Sequence, residues 1–259
     1  MISVVILNWK RPDNIINDIL PKIVNYKLVS EVIVSHGNSK TYFETPELKM
    51  VKHYRDENMN TNLGVALRFS RSCDAKNDCI LIIDDDMLPS ENYVNKMYKE
   101  YKKNPNVVIG SQKRYVSETK GYSNKKFLTN DQQIVLTQIL MTNKSICKDF
   151  MNEKYKMNDF ALKAKPVWNG EDILLNLIYI KNYNKTPIYL KPTNDDVKKL
   201  KTNNAISSDT GHYKYRREFS KAALERYGIN TNTNYNYIKL LVLLILIFLL
   251  IVYIIKVSK

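Results

Sequence analysis

The chain has 259 residues, 44% hydrophobic and 25% charged, which fits one large globular domain plus an appendage. Cys73, Cys79 and Cys147 show no C-x-x-C spacing and leave one unpaired, which indicates neither a zinc site nor a disulfide framework and suits a reducing compartment. The formal charge of +14 comes from scattered lysines with no nucleic-acid signature, so anionic lipid headgroups fit better than nucleic acid.

Short apolar runs alternate with helical stretches from the start, the pattern of a mostly parallel sheet with covering helices. Ser3–Leu7 reads as a strand that stops at Asn8, and Arg11-Pro12-Asp13-Asn14 opens a helix to about Asn25. Glu31–Val34 and Met50–Tyr54 read as strands, and Leu63–Ser72 as a helix. Cys79–Ile83 is a buried strand running into Asp84-Asp85-Asp86 and stopped by Pro89. Glu91–Lys103 is an amphipathic helix and Val107–Gly110 a strand, while Gln112–Asp131 fits a hairpin or an insertion. Ser145–Tyr155, Asp172–Ile180 and Glu218–Tyr227 read as helices, and Ile188–Leu190 as a strand. Asn194–Thr210 is an aperiodic polar stretch suited to closing over a ligand.

Leu240–Ile255 is unbroken apolar sequence framed by Lys239 and Lys256, near the short end of a bilayer span. The expected organisation is a domain over 1–229, a polar linker over 230–237 and a membrane anchor over 238–255. With no signal peptide before Asn8 and a basic body, that body is expected in the cytosol.

No Gly-rich phosphate loop or nucleophile elbow is present. The chemistry rests on separated pieces. Three adjacent carboxylates repel unless a cation neutralises them, and at the carboxyl end of a strand the natural neutraliser is a divalent metal carrying phosphates. A solvated acidic turn is the plain alternative. Asn8 with Arg11 follows the first strand, and Asn62-Leu63-Gly64 leads to Arg68, which can reach a diphosphate or sit on the surface. Glu171-Asp172 opens a helix, where carboxylates also serve as caps. His212 is a candidate metal ligand, and Arg216-Arg217 suit phosphate.

Together these pieces resemble the GT-A class of nucleotide-sugar glycosyltransferases, an α/β Rossmann-like fold, here with a C-terminal transmembrane helix. Within it the chain is similar to the exostosin-like family, the C-terminal domain of heparan-synthesis enzymes. Val4–Arg11, the Asp triplet, Val135-Leu136-Thr137-Gln138 (a glycine in the family at 138), Asn169–Asn176 and the Tyr215–Gly228 stretch carry the resemblance. Family 2 glycosyltransferases share its looser elements. The resemblance implies transfer of a hexose or N-acetylhexosamine from a UDP-sugar, with Mn²⁺ or Mg²⁺, to a glycan, lipid or protein acceptor. It assigns Asp84 to the ribose and Asp86 to the metal, with Asp85 in support, and Asp84 and His212 stand as the further candidate ligands. Asn8 and Arg11 go to the base, and Asn62, Arg68, Arg216 and Arg217 to the nucleotide. Asp172, with Glu171, belongs beside the anomeric carbon, for a retaining transfer or, in the family 2 manner, as an inverting general base. A binding protein that has lost catalysis is the rival from another class.

Overall fold

The computed structural model describes residues 1–154, 169–202, 210–229 and 243–247. Strand β1 (Ile2–Asn8) is buried at every position, because both faces are covered, and so its sequence is apolar without alternation. The helical run α1 follows in three pieces: Pro12–Asn14, a π turn over Ile15–Ile19, and Leu20–Ile23. Pro21 has no N–H to give, so the helix expected from Arg11 to Asn25 is interrupted ahead of it. Next come β2 (Val29–His36), β3 (Val51–Arg55) and α2 (Glu57–Leu63). Gly64, at φ 49, ends α2, and after a 3-10 turn the chain resumes as α3 (Leu67–Cys73). The helix expected over Leu63–Ser72 is thus a 3-10 turn followed by α3, and α2 before it was not expected.

Strand β4 (Cys79–Asp84) leads through the triplet into a short β5 (Met87–Pro89) and α4 (Glu91–Lys103), whose N-cap Ser90 accepts from Tyr93 N. Strands β6 (Ile109–Gly110), β7 (Lys113–Ser117), β8 (Gly121–Ser123), β9 (Gln132–Val135) and β10 (Ile139–Asn143) follow. Helices α5 (Lys144–Lys154) and α6 (Glu171–Tyr183), strands β11 (Ile188–Tyr189) and β12 (Val197–Lys199), and α7 (His212–Tyr227) complete the described chain.

The main sheet runs β11-β6-β10-β4-β1-β2-β3. Only β10 is antiparallel to its neighbours. The ambiguous stretch after Gln112 resolves as a hairpin of β7 and β8, joined by β9 in a separate three-stranded sheet. Alternate residues of β1 divide the core. Val4 and Ile6 pack with α1 and α4, whereas Val5 packs with α3, α5, α6 and α7. The chain runs from β1 outward to β2 and β3, then returns to β4 on the other side of β1, so the carboxyl ends of β1 and β4 flank a topological switch point.

Among the described residues no helix is long and apolar enough to cross a membrane. Of the expected anchor over 238–255, residues 243–247 are helical and exposed, and the rest lies outside the described residues, as does the linker. Trp168 and residues 203–209 of the polar stretch also lie outside them.

Candidate active site

The Asp triplet sits at the switch point, where the end of β4 meets the end of β1. Three elements pin its backbone. Asp84 N donates to Gln138 O at 2.9 Å, Asn14 Nδ2 donates to Asp85 O at 2.9 Å, and Leu200 N donates to Asp86 O at 2.8 Å. The last bond comes from the strand pair β5–β12, which lashes the start of the polar stretch against the triplet. That stretch is therefore a wall of the site as well as a connection.

Each carboxylate has a different partner. Arg68 Nη1 donates to Asp84 Oδ1 at 2.6 Å, and Arg11 Nη1 donates to Asp85 Oδ1. Asp86 Oδ2 accepts from Thr202 Oγ1 at 3.3 Å and lies 3.8 Å from Arg11 Nη1. Burial holds Asp84 and Asp85 above the usual carboxylate range against the pull of Arg68 and Arg11, and the neighbouring triplet charges push the same way. Such a cluster has unmet demand for positive charge.

A second pair of carboxylates opens α6. Gly170, at φ 139, makes the turn into the helix, and a side chain there would meet the Phe219 ring at 2.8 Å. Asp172 is bound through both oxygens by Arg216 Nη2, at 2.6 and 2.5 Å. Arg216 also donates to Asn169 Oδ1 at 3.0 Å and lies over the Tyr122 ring at 4.3 Å. Glu171 is held above its ordinary range by burial and by the Asp172 charge, with Arg68 and Arg216 opposing. Asn176, one turn on, clasps the end of β9, donating to Val135 O at 2.8 Å and accepting from Val135 N at 3.0 Å.

The two carboxylate groups, remote in sequence, are joined by hydrogen bonds. Arg68 Nη1 lies 3.1 Å from Thr137 Oγ1, which donates to Glu171 Oε1 at 3.1 Å. One buried guanidinium thus touches Asp84 directly and reaches Glu171 through a single hydroxyl.

The remaining residues fall at varying distance from this centre. Asn8 is buried at the end of β1 and donates to Thr41 O and His36 Nδ1. Asn62 is exposed on α2. Arg217 is exposed, its backbone against Gly121, whereas Arg216 is spent on Asp172. His212 faces Asn169 at 2.8 Å, beside the Asp172 end of the site. Sequence reasoning missed Thr137 as a bridge, although it stands in a motif already singled out. It also missed Asn14, Thr202 and Tyr122. For Tyr122 no sequence pattern pointed to the site.

A family model described as "Glycosyl transferase family 64 domain" matches residues 2–240. The chain belongs to that family. A curated relative of this family 64 chain, glucosamine inositolphosphorylceramide transferase 1 of Arabidopsis thaliana, is 26% identical over 160 residues, 59% of this chain. The match spans 21% of that relative's length. Among solved structures, a CMP:2-keto-3-deoxy-manno-octonic acid synthetase complexed with CTP overlaps 74% of the chain and 89% of its own, at 11% identity and a TM-score of 0.44. The mannosyltransferase PcManGT of Pyrobaculum calidifontis, in complex with GDP-Man and Mn²⁺, overlaps 73% of the chain and 54% of its own, at 12% identity and 0.46. At TM-scores below 0.5 neither bears on the chemistry. The chain has a mixed α/β fold with a mostly parallel central sheet.

Proposed function

We propose that this family 64 chain is a glycosyltransferase that moves a hexose or N-acetylhexosamine from a UDP-sugar to a glycan, lipid or protein acceptor, with retention of configuration and with Mn²⁺ or Mg²⁺. The observation that carries the reading is the bridge from Asp84 through Arg68 and Thr137 to Glu171, which makes the triplet and the α6 carboxylates one site.

The donor set fits a hard divalent cation. No group of three or more His, Cys, Asp or Glu able to hold a metal occurs among the described residues. One or two carboxylates completed by diphosphate oxygens and water is the usual arrangement for Mg²⁺-like ions. Asp86 and Asp84 would supply those carboxylates, because their side chains stay 13% and 25% exposed, whereas Asp85, at 7%, is buried against Arg11. His212 lies with Asn169 and is the weaker candidate. When bound, the ion offsets negative charge on the leaving diphosphate. Arg11, between Asp85 and Asp86, orients the triplet.

The Asp172 contacts favour retention. Both of its oxygens are engaged by Arg216, which suits a fixed negative charge beside a cationic anomeric centre better than a base collecting a proton. An inverting, family 2-like transfer with Asp172 as base is the alternative. A lipid-linked acceptor agrees with the basic composition and with an anchor over 238–255 that would leave the body cytosolic.

The test is a screen of UDP-sugars for Mn²⁺-dependent hydrolysis and transfer by the full chain, with NMR of the product anomer. Turnover of one donor with retained configuration is expected. Metal-dependent UDP binding without turnover of any donor would instead favour a binding protein, and an inverted product would make Asp172 the base.

A further inference from the structure

Helix α7 has two faces of different chemistry. Inward, Arg216 holds Asp172. Outward, Lys214, Arg217 and Lys221 recur at i, i+3 and i+7, so they stand on one exposed stripe. The β7–β8 hairpin lies against this helix. A side chain at Gly121 would meet the Arg217 backbone at 2.8 Å, and the rings of Tyr122 and Tyr213 are 6.4 Å apart. The hairpin tip and the turn after β8 add Lys120, Lys125 and Lys126, all exposed. Glu118 and Glu218 interleave with these residues, and the balance stays positive.

Phe127 stands out of that basic surface. Its ring is 53% exposed, and Lys120 Nζ lies 5.7 Å from the ring centre. The loop beneath it is firmly built. Buried Asp131 accepts through Oδ2 from Phe127 N at 2.8 Å and from Leu128 N at 3.1 Å, and Ser123 Oγ accepts from Lys125 N at 3.0 Å. The backbone is thus held in a shape that turns a large apolar ring into water, which is unfavourable unless another phase takes it up. Tyr213, also 53% exposed, is a second aromatic beside the hairpin.

Lysines alone attract any polyanion. An exposed phenyl ring set among them fits a partner with an apolar layer directly under an anionic surface, the place where aromatic side chains gather at bilayers. The chain order points the same way. Beyond α7 and residues 230–237 comes Leu240–Ile255, an unbroken apolar run. Basic clusters next to such a run are drawn to anionic headgroups.

We propose that the β7–β8 hairpin and the outward face of α7 form a docking surface for a bilayer that carries anionic phospholipid. Phe127 sits in the interfacial layer, and the lysines around it lie on headgroups. Because Arg216 belongs to the inward side of the same helix, docking brings the Asp172 end of the site close to the bilayer surface. This surface is separate from the nucleotide-sugar reading, and its test contains no nucleotide.

The full chain is reconstituted with vesicles of phosphatidylcholine alone or of an equimolar mixture with phosphatidylserine. An uncharged acetylating reagent then probes each lysine, and mass spectrometry reads the rates. Lys120, Lys125, Lys126, Lys214 and Lys221 are expected to react about fivefold more slowly on the mixed vesicles. Lys99 and Lys102, exposed on α4 across the sheet from α7, should react equally on both. Lys125→Glu combined with Lys126→Glu should return the Lys120 rate on mixed vesicles to within about twofold of its phosphatidylcholine value. Equal hairpin rates on the two vesicles, equal slowing of the α4 lysines, or slowing of Lys120 that survives the double substitution overturns the proposal. Slowing by soluble heparin with none on the mixed vesicles also overturns it, in favour of an acidic polysaccharide. If the double variant does not fold, the wild-type rates decide.

Discussion

Arg216 and Asp172 each keep 5% of their side-chain surface exposed, so neither charge has water to fall back on. A buried pair of this kind adds little net stability over an apolar pair, yet removing one partner strands the other. Arg216→Met should therefore destabilise the fold by about 3–5 kcal/mol in urea denaturation, whereas Lys103→Met, on an exposed pair with Glu100, should cost less than about 1 kcal/mol. Asp86 is different, because its partners are Thr202 and a guanidinium at 3.8 Å. Asp86→Asn keeps the side chain's shape and removes one of three repelling charges, so the melting temperature should not fall. It should remove Mn²⁺-dependent UDP-sugar hydrolysis. Retained hydrolysis would take Asp86 out of the metal site.

Helix α6 is placed by one side chain as much as by its apolar face. Asn176 is fully buried and spans both backbone groups of Val135, docking the helix on β9 and so setting Glu171 and Asp172 against Thr137. Asn176→Ala strands a buried N–H and a buried carbonyl, at about 1–3 kcal/mol each. A loss of about 3 kcal/mol in denaturant titration is the expected result, and a loss below 1 kcal/mol would mean that packing alone docks α6. Elements of this type were only partly legible beforehand. The apolar runs of β1, β2 and β4 announce buried strands because both faces are covered. Strand β10, equally buried, went unassigned, since Ile139–Asn143 is too short for periodicity to separate strand from helix. It holds the position between β4 and β6 that carries Gln138 up to Asp84. The site was legible at the level of residue types. The pairing was not: Arg216 was assigned to phosphate from its charge, and only the fold sets it against Asp172.

At the scale of the whole molecule, the buried ionisable groups pull stability in opposite directions as pH changes. His36 moves from 6.5 down to about 4 on folding, so the unfolded chain binds the extra proton between those values. Stability from His36 is intact above pH 6.5 and is lost as pH falls toward 4, by up to about 3 kcal/mol. Glu31, lowered by hydrogen bonds from Lys52, Ser3 and Lys76 that outweigh its burial, extends the loss below 4.5. Asp84, Asp85 and Glu171 have the opposite sign: raised on folding, they cost stability at neutral pH and cost less as they protonate. From pH 7 to 4 the denaturation midpoint of the wild type should drop relative to that of His36→Phe, and parallel pH profiles would remove His36 as the cause. At neutral pH the triplet's repulsion is what a bound cation would relieve. A ligand that binds only the folded state adds RT ln(1 + [L]/Kd), about 2.7 kcal/mol at a hundredfold excess over Kd. For a chain of this size that corresponds to roughly 5–10 °C in Tm. Mn²⁺ with UDP should therefore raise Tm by that amount in the wild type and by less than ~2 °C in Asp86→Asn. An equal shift in both proteins would place the ligand away from the triplet.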